Sequence, residues 1–134
     1  MIFVDTGAFL ARHLGRDQHH QAAKAAWAKL GATKEACGTS NFVLDELLTL
    51  LGRGAGYGFA AQRARSYYAS SGLTILRPEE EDELEALDWF TKYQDQEVSF
   101  TDCVSFALMR RHRLSRVFSF DRHFQIAGFE LWPR

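Results

Sequence analysis

Cysteine is scarce in this chain of 134 residues. The two that occur, Cys37 and Cys103, form no C-x-x-C pair, which argues against a structural zinc site or a dithiol redox centre. Two reduced thiols suit a cytoplasmic protein. Net charge of one sign is also lacking, with 16 Lys and Arg against 17 Asp and Glu for a formal charge of −1. The molecule as a whole therefore offers no field that would draw in nucleic acid or an acidic membrane. Any attraction for phosphate must be local. No apolar run approaches the roughly 20 residues that cross a bilayer, so no membrane role is expected. The N-terminus has no basic stretch ahead of a long apolar core, so no signal peptide is expected either. Internal repeats, low-complexity tracts and linkers are absent as well, and one domain over residues 1–134 is the expectation.

What is present is a globular composition, 46% hydrophobic and 25% charged. A chain of this length buries about two-thirds of its unfolded surface. The short run "IFV" reads as a buried strand and leads directly into helical spacing at "GAFLARHL". A second helix follows from about His19 to Leu30, then a weak strand in "EACGTS", with Ser40 or Asn41 placed to cap the next helix. That helix, "NFVLDELLTLLGR", is apolar on most sides and reads as central. The run "GAGYG" breaks it before another helix, "FAAQRARSYYASSG". "LTILRP" is strand-like, and "EEEDELEALDWFTKY" is a helix whose acidic first turn suits the macrodipole. The helix "TDCVSFALMRRHR", the strand "RVFSF", a turn or short helix at "DRHFQIAG" and a last strand "FELW" complete the chain. Short apolar strands alternating with helices predict a parallel sheet covered on both faces. The predicted fold is a Rossmann-like three-layer α/β/α sandwich with a short, mainly parallel central sheet.

Within that pattern, Asp5 ends the first strand, Asp121 follows the fourth, and Asp102 opens a helix. Each has an ordinary explanation: an N-cap for Asp5, a capping-box variant after Ser99 for Asp102, an Asx-turn for Asp121. Glu46, on the third helix, could simply be an exposed position. Their shared location is less ordinary. Binding sites in open parallel sheets lie beyond the carboxyl ends of the strands, and all four acids belong to that rim. Converging carboxylates repel one another and raise their own pKa values unless a cation holds them. Oxygen ligands without a Cys or His cluster point to Mg²⁺, with Mn²⁺ as a substitute. Such a centre can activate water and steady the leaving oxygen of a phosphodiester.

The segments "IFVDTGAFL", "TSNFVLDELLTLL", "SFTDCVSFALMRR" and "VFSFDRHF" resemble, in wording and order, the PIN domain family and more closely its VapC-type toxin ribonucleases. The resemblance spans nearly the whole chain. It implies a magnesium-dependent endoribonuclease, the toxin of a type II toxin–antitoxin pair, with RNA as substrate, a cognate antitoxin as partner and a homodimer as the assembly. Asp5, Glu46, Asp102 and Asp121 match the family's four acids in both catalytic and metal-binding roles. Thr6 and Thr101 occupy the small polar positions beside the first and third, where they could orient a water near the ion. Asp45, next to Glu46, leaves the second acid open on the motif alone. Reach and the six-residue spacing from Ser40 favour Glu46.

Other signals carry less. "GRGAGYG" follows a helix and lacks the Lys-Ser or Lys-Thr of a phosphate loop, so a helix break is expected there. His19 and His20 point about 100° apart on a helix and make a poor metal pair. His123 is expected to face solvent. Arg110, Arg111, Arg113 and Arg116 sit at a helix end expected to lie on the far side of the sheet. Arg12, Arg53 and Arg122 are the candidates for RNA phosphate contacts, and Tyr67 and Tyr68 for an interface. Two rival readings stand beside the toxin: a PIN-fold nuclease of RNA processing or DNA, and an inactive binding module of the same fold.

Overall fold

Ile2, Phe3 and Val4 form the three-residue strand β1 (Ile2–Val4), buried on both faces as its uninterrupted apolar character requires. In the computed structural model, which describes all residues 1–134, it is the middle strand of a wholly parallel five-stranded sheet. The others are β2 (Cys37–Ser40), β3 (Leu73–Leu76), β4 (Arg116–Phe118) and β5 (Glu130–Trp132). The spatial order is β3-β2-β1-β4-β5. The chain thus builds outward from β1 to β3, crosses back, and lays β4 on the other flank of β1. Strand order reverses between β1 and β4, and that reversal opens a crevice at their carboxyl ends.

Seven helices cover the sheet. Helices α1 (Thr6–His13), α2 (His20–Thr33), α3 (Asn41–Ala55) and α4 (Tyr57–Ala69) belong to the outward half. Helices α5 (Glu80–Lys92), α6 (Phe100–Arg111) and α7 (His123–Ile126) belong to the return half. Right-handed crossovers put the two sets on opposite faces, with Phe42 of α3 and Phe100 of α6 meeting across the rim at 6.2 Å. On the first face Phe9 meets Trp27 at 5.4 Å and Tyr67 at 4.7 Å between ring centres. On the other, Phe106 meets Trp89 at 5.4 Å and Phe124 at 5.0 Å. Truncating one such fully buried Phe to Ala costs about 3–5 kcal/mol. No helix is long and apolar enough to cross a membrane.

Several expectations shift. The central helix is α6, buried without interruption from Asp102 to Met109, whereas α3 leaves Asp45, Thr49, Leu50 and Arg53 exposed. The second helix starts at His20 and continues to Thr33. The fourth strand ends at Phe118, because the chain bends through Ser119 and Phe120. The expected break after α3 is a single residue, Gly56, whose φ of +98° is strained for any residue with a Cβ. Ser40, not Asn41, caps α3: its hydroxyl accepts from the Val43 N–H at 3.1 Å. Tyr67 is buried against Phe9, leaving Tyr68 as the exposed member of that pair.

Candidate metal centre and active-site cleft

The last sheet hydrogen bond of β1 runs from the Asp5 N–H to the Phe118 carbonyl at 3.0 Å, so Asp5 leaves the sheet at the strand-order reversal. It occupies the N-cap position of α1, yet its side chain caps nothing. Oδ2 instead accepts a hydrogen bond from the Ser119 hydroxyl at 2.9 Å, and Oδ1 is buried with no partner. The ordinary reading of Asp5 therefore fails. The Thr6 hydroxyl beside it is also buried and unpartnered. An orphaned carboxylate oxygen costs several kcal/mol unless a cation or water meets it.

Asp102 is released for the cleft by its neighbour. Ser99 caps α6 by accepting from the Asp102 N–H at 3.1 Å, leaving that carboxylate 7% exposed at the start of the helix. Asp121 does make the expected Asx-turn, accepting from the His123 N–H at 2.9 Å. The turn is what aims it. The Asp121 N–H donates to Ser119 Oγ at 3.0 Å, so one hydroxyl ties the ends of β1 and β4 together. Glu46, half-buried on α3, faces the same space, whereas Asp45 points to solvent.

These four acids line one cleft of about 670 Å³. Glu97 joins them at its edge, and Arg122 is the one Lys or Arg in the lining. Five carboxylates against one guanidinium would repel a phosphate. Burial, foremost, pushes the Asp5 carboxyl above its ordinary value, aided by Asp121 and Glu46 and opposed by hydrogen bonds from Ser119 and the Thr6 backbone. Burial likewise raises Asp102, followed by the charges of Asp5, Asp121 and Glu46. The donor atoms that converge most tightly belong to Asp102, Asp121 and His123, all within 4.8 Å of one another. An unpartnered buried oxygen, mutually strained carboxyls and a predominantly oxygen donor set all fit a hard divalent cation such as Mg²⁺ or Mn²⁺.

His123 was expected to face solvent, but it lines the cleft. Its Nδ1 lies 2.9 Å from Asp121 Oδ1 but outside the hydrogen-bonding direction, and is buried without a partner. An Asp-x-His turn folds its third residue back over the first, and that spacing was the available signal. His19 and Phe120 also line the cleft. Thr6 is there, but Thr101 is not among its residues. Two arginines are likewise elsewhere. α1 is only two turns long and runs away from the cleft, so Arg12 reaches the opposite edge of the sheet. There its guanidinium lies 4.5 Å from the Trp27 ring centre and donates to the Tyr67 hydroxyl at 3.3 Å. Arg53 is exposed two turns beyond Glu46 and also stands outside the lining. Arg122 remains. Arg110, Arg111 and Arg116 pair with Glu85, Asp82 and Glu35, away from the cleft as expected.

The fold and sequence have close counterparts. The PIN domain profile matches residues 2–130. Two curated relatives, each named 23S rRNA-specific endonuclease VapC20, come from the CDC 1551 / Oshkosh and ATCC 25618 / H37Rv strains of Mycobacterium tuberculosis. Each is 36% identical over 129 residues, covering 96% of this chain and 95% of the relative. A crystal structure of Mycobacterium tuberculosis VapC20, described as a sarcin-ricin loop cleaving toxin, superimposes with a TM-score of 0.87. It is 34% identical and covers 96% of both chains. The chain belongs to the PIN domain family, and within it to the VapC-type toxin endonucleases.

Proposed function

We propose that this chain is a magnesium-dependent endoribonuclease that acts as the toxin of a type II toxin–antitoxin pair in the cytoplasm. The observation that carries the reading is that Asp5, Glu46, Asp102 and Asp121 line one cleft in which an Asp5 carboxylate oxygen is buried with no partner. In this reading those four acids hold Mg²⁺, or Mn²⁺ in its place, and His123 stands beside them as a fifth donor. A bound ion would supply positive charge for the scissile phosphate and make water a nucleophile at neutral pH. The chain's own residues supply placement. Ser119 fixes the Asp5 and Asp121 carboxylates relative to each other, the unpaired Thr6 hydroxyl orients water beside Asp5, and Arg122 neutralises a flanking phosphate. Phosphodiester hydrolysis then needs no protein nucleophile.

The substrate proposed from the relatives' names is 23S ribosomal RNA. The proposed protein partner is a small antitoxin whose basic residue enters the acidic cleft. A homodimer is supported by the apolar residues Leu84, Leu87 and Phe90 along α5, each left about half exposed. The test is incubation of purified protein with total ribosomal RNA, with Mg²⁺ and with EDTA, followed by end mapping. Discrete cleavage that EDTA abolishes and Asp102→Asn lacks is the expected result. Undiminished cleavage in EDTA, or none of RNA by the folded protein, would refute the reading.

A further inference from the structure

Two aromatic rings on the cleft wall have no part in the acid cluster. His19, in the turn before α2, and Phe120, in the bend after β4, lie with their ring centres 4.4 Å apart and their planes 1° from parallel. Both line the acidic cleft, and both are only partly buried. Separate devices hold them in place. The Asp17 carboxylate accepts from the His19 N–H at 2.8 Å and fixes that turn. Phe120 is braced by buried Phe118, in a T-shaped contact with ring centres 6.0 Å apart. The His19 imidazole itself takes part in no hydrogen bond, whereas His13 and His20 both do. Core packing would hide such a pair, and here it faces the space in which a substrate would lie.

Resting on the endoribonuclease reading above, we propose that the Phe120–His19 stack is a base-stacking platform. It receives one unpaired base next to the scissile phosphate. Phe120 directly precedes Asp121 in the chain, and Arg122 directly follows it. The facing sides of the two rings cover each other, so a base lies on an outer face of the stack; one bend sets that stack beside a carboxylate for the metal and a guanidinium for the next phosphate. A π-face takes any base, so the platform selects for an unstacked nucleotide and not for a particular letter. A base inside an A-form helix is already stacked on its neighbours and cannot lie on a ring, so the enzyme reads a loop, bulge or end. The free ring nitrogens of His19 are available to a base edge or a 2′-hydroxyl.

The probe is a synthetic oligoribonucleotide carrying the site that the parent cuts in ribosomal RNA. 2-Aminopurine is placed in turn at the two nucleotides flanking the cut. Bound to the Asp102→Asn protein, the probe should be quenched at one flanking position, and adding Phe120→Leu or His19→Leu should relieve that quenching. Phe120→Tyr, which keeps the ring, should preserve it. In otherwise unaltered protein, Phe120→Leu should lower kcat/KM by about tenfold, the scale of one lost stack. An abasic nucleotide at the quenched position should cost the parent about as much, and the Leu variant little more. Quenching that persists in both Leu variants, or abasic and Phe120→Leu losses that multiply independently, would overturn the platform while leaving RNA cleavage intact. A folded parent that neither binds nor cuts RNA overturns both readings.

Discussion

Replacing Asp5 by Asn should make the metal-free protein more stable at pH 8. The Asn carbonyl oxygen can still accept from the Ser119 hydroxyl, so the tie between β1 and β4 survives. Its amide would occupy the place of the unpartnered oxygen and face the other carboxylates of the cleft. The parent carboxyl is raised from 3.8 to about 7, chiefly by burial. The folded state therefore holds a proton that the unfolded state has already released, and stability falls as pH rises through that window. At about 1.4 kcal/mol per pKa unit the shift bounds the strain near 4 kcal/mol. Because neighbouring acids share that strain, the substitution should recover about 1–3 kcal/mol. That is a rise in Tm of roughly 3–10 °C for a domain of this size. Thermal melts in EDTA at pH 8 and pH 5 are the assay. The gain should be full at pH 8, fall by about half at pH 5, where only the unfolded chain has released the proton, and vanish below about pH 4. Added Mg²⁺ should then stabilise the parent more than the variant. A loss of stability at pH 8, or an equal gain at both pH values, would refute the reasoning.

Glu46→Gln should abolish cleavage of RNA while Asp45→Asn retains most of it, because Glu46 faces the cleft and Asp45 faces solvent; the reverse in a metal-titrated assay would make Asp45 the functional acid. Ser119→Ala removes the hydroxyl joining Asp5 to the Asp121 backbone and should weaken Mn²⁺ binding by about 10–100-fold in calorimetry. Asp82→Ala strips Arg111 of its nearly buried partner and the start of α5 of an acceptor, costing about 1–3 kcal/mol in urea denaturation. It should leave cleavage per folded molecule unchanged. Burial pushes the Asp82 carboxyl up, but the hydrogen bond from Arg111 and that from the Glu79 backbone outweigh it and hold it below 3.8. That contribution is therefore present above about pH 4 and fades as pH falls, which an acid titration of the parent against Asp82→Ala measures.

Much of this architecture was legible because short apolar runs and helical spacing are local properties. "IFV" before Asp5 and the uninterrupted run after Asp102 each prescribe their element. Two features tied the acids to one rim: alternation of strand with helix, and the rule that sites lie at strand carboxyl ends. Three things lay beyond a linear reading. Which helix is central depends on what packs around it, so the central place expected of α3 belongs to α6. The reach of Arg12 depends on the length and direction of α1, which carries it to the opposite edge of the sheet. His123 and the His19–Phe120 pair enter the cleft through turns: an Asx-turn at Asp121, the Asp17 turn and the bend after β4. Periodicity says nothing of where such turns point.

Crystals soaked in Mn²⁺ and measured at the manganese absorption edge test the central claim most directly. The account predicts an anomalous peak in the cleft within bonding distance of oxygens of Asp5 and Asp102. Asp121 and Glu46 should complete the shell, directly or through water, and the peak should be missing from Asp102→Asn crystals. A cleft that stays empty at millimolar Mn²⁺, or a peak held only by residues outside it, would contradict the assignment of these four acids as a metal centre.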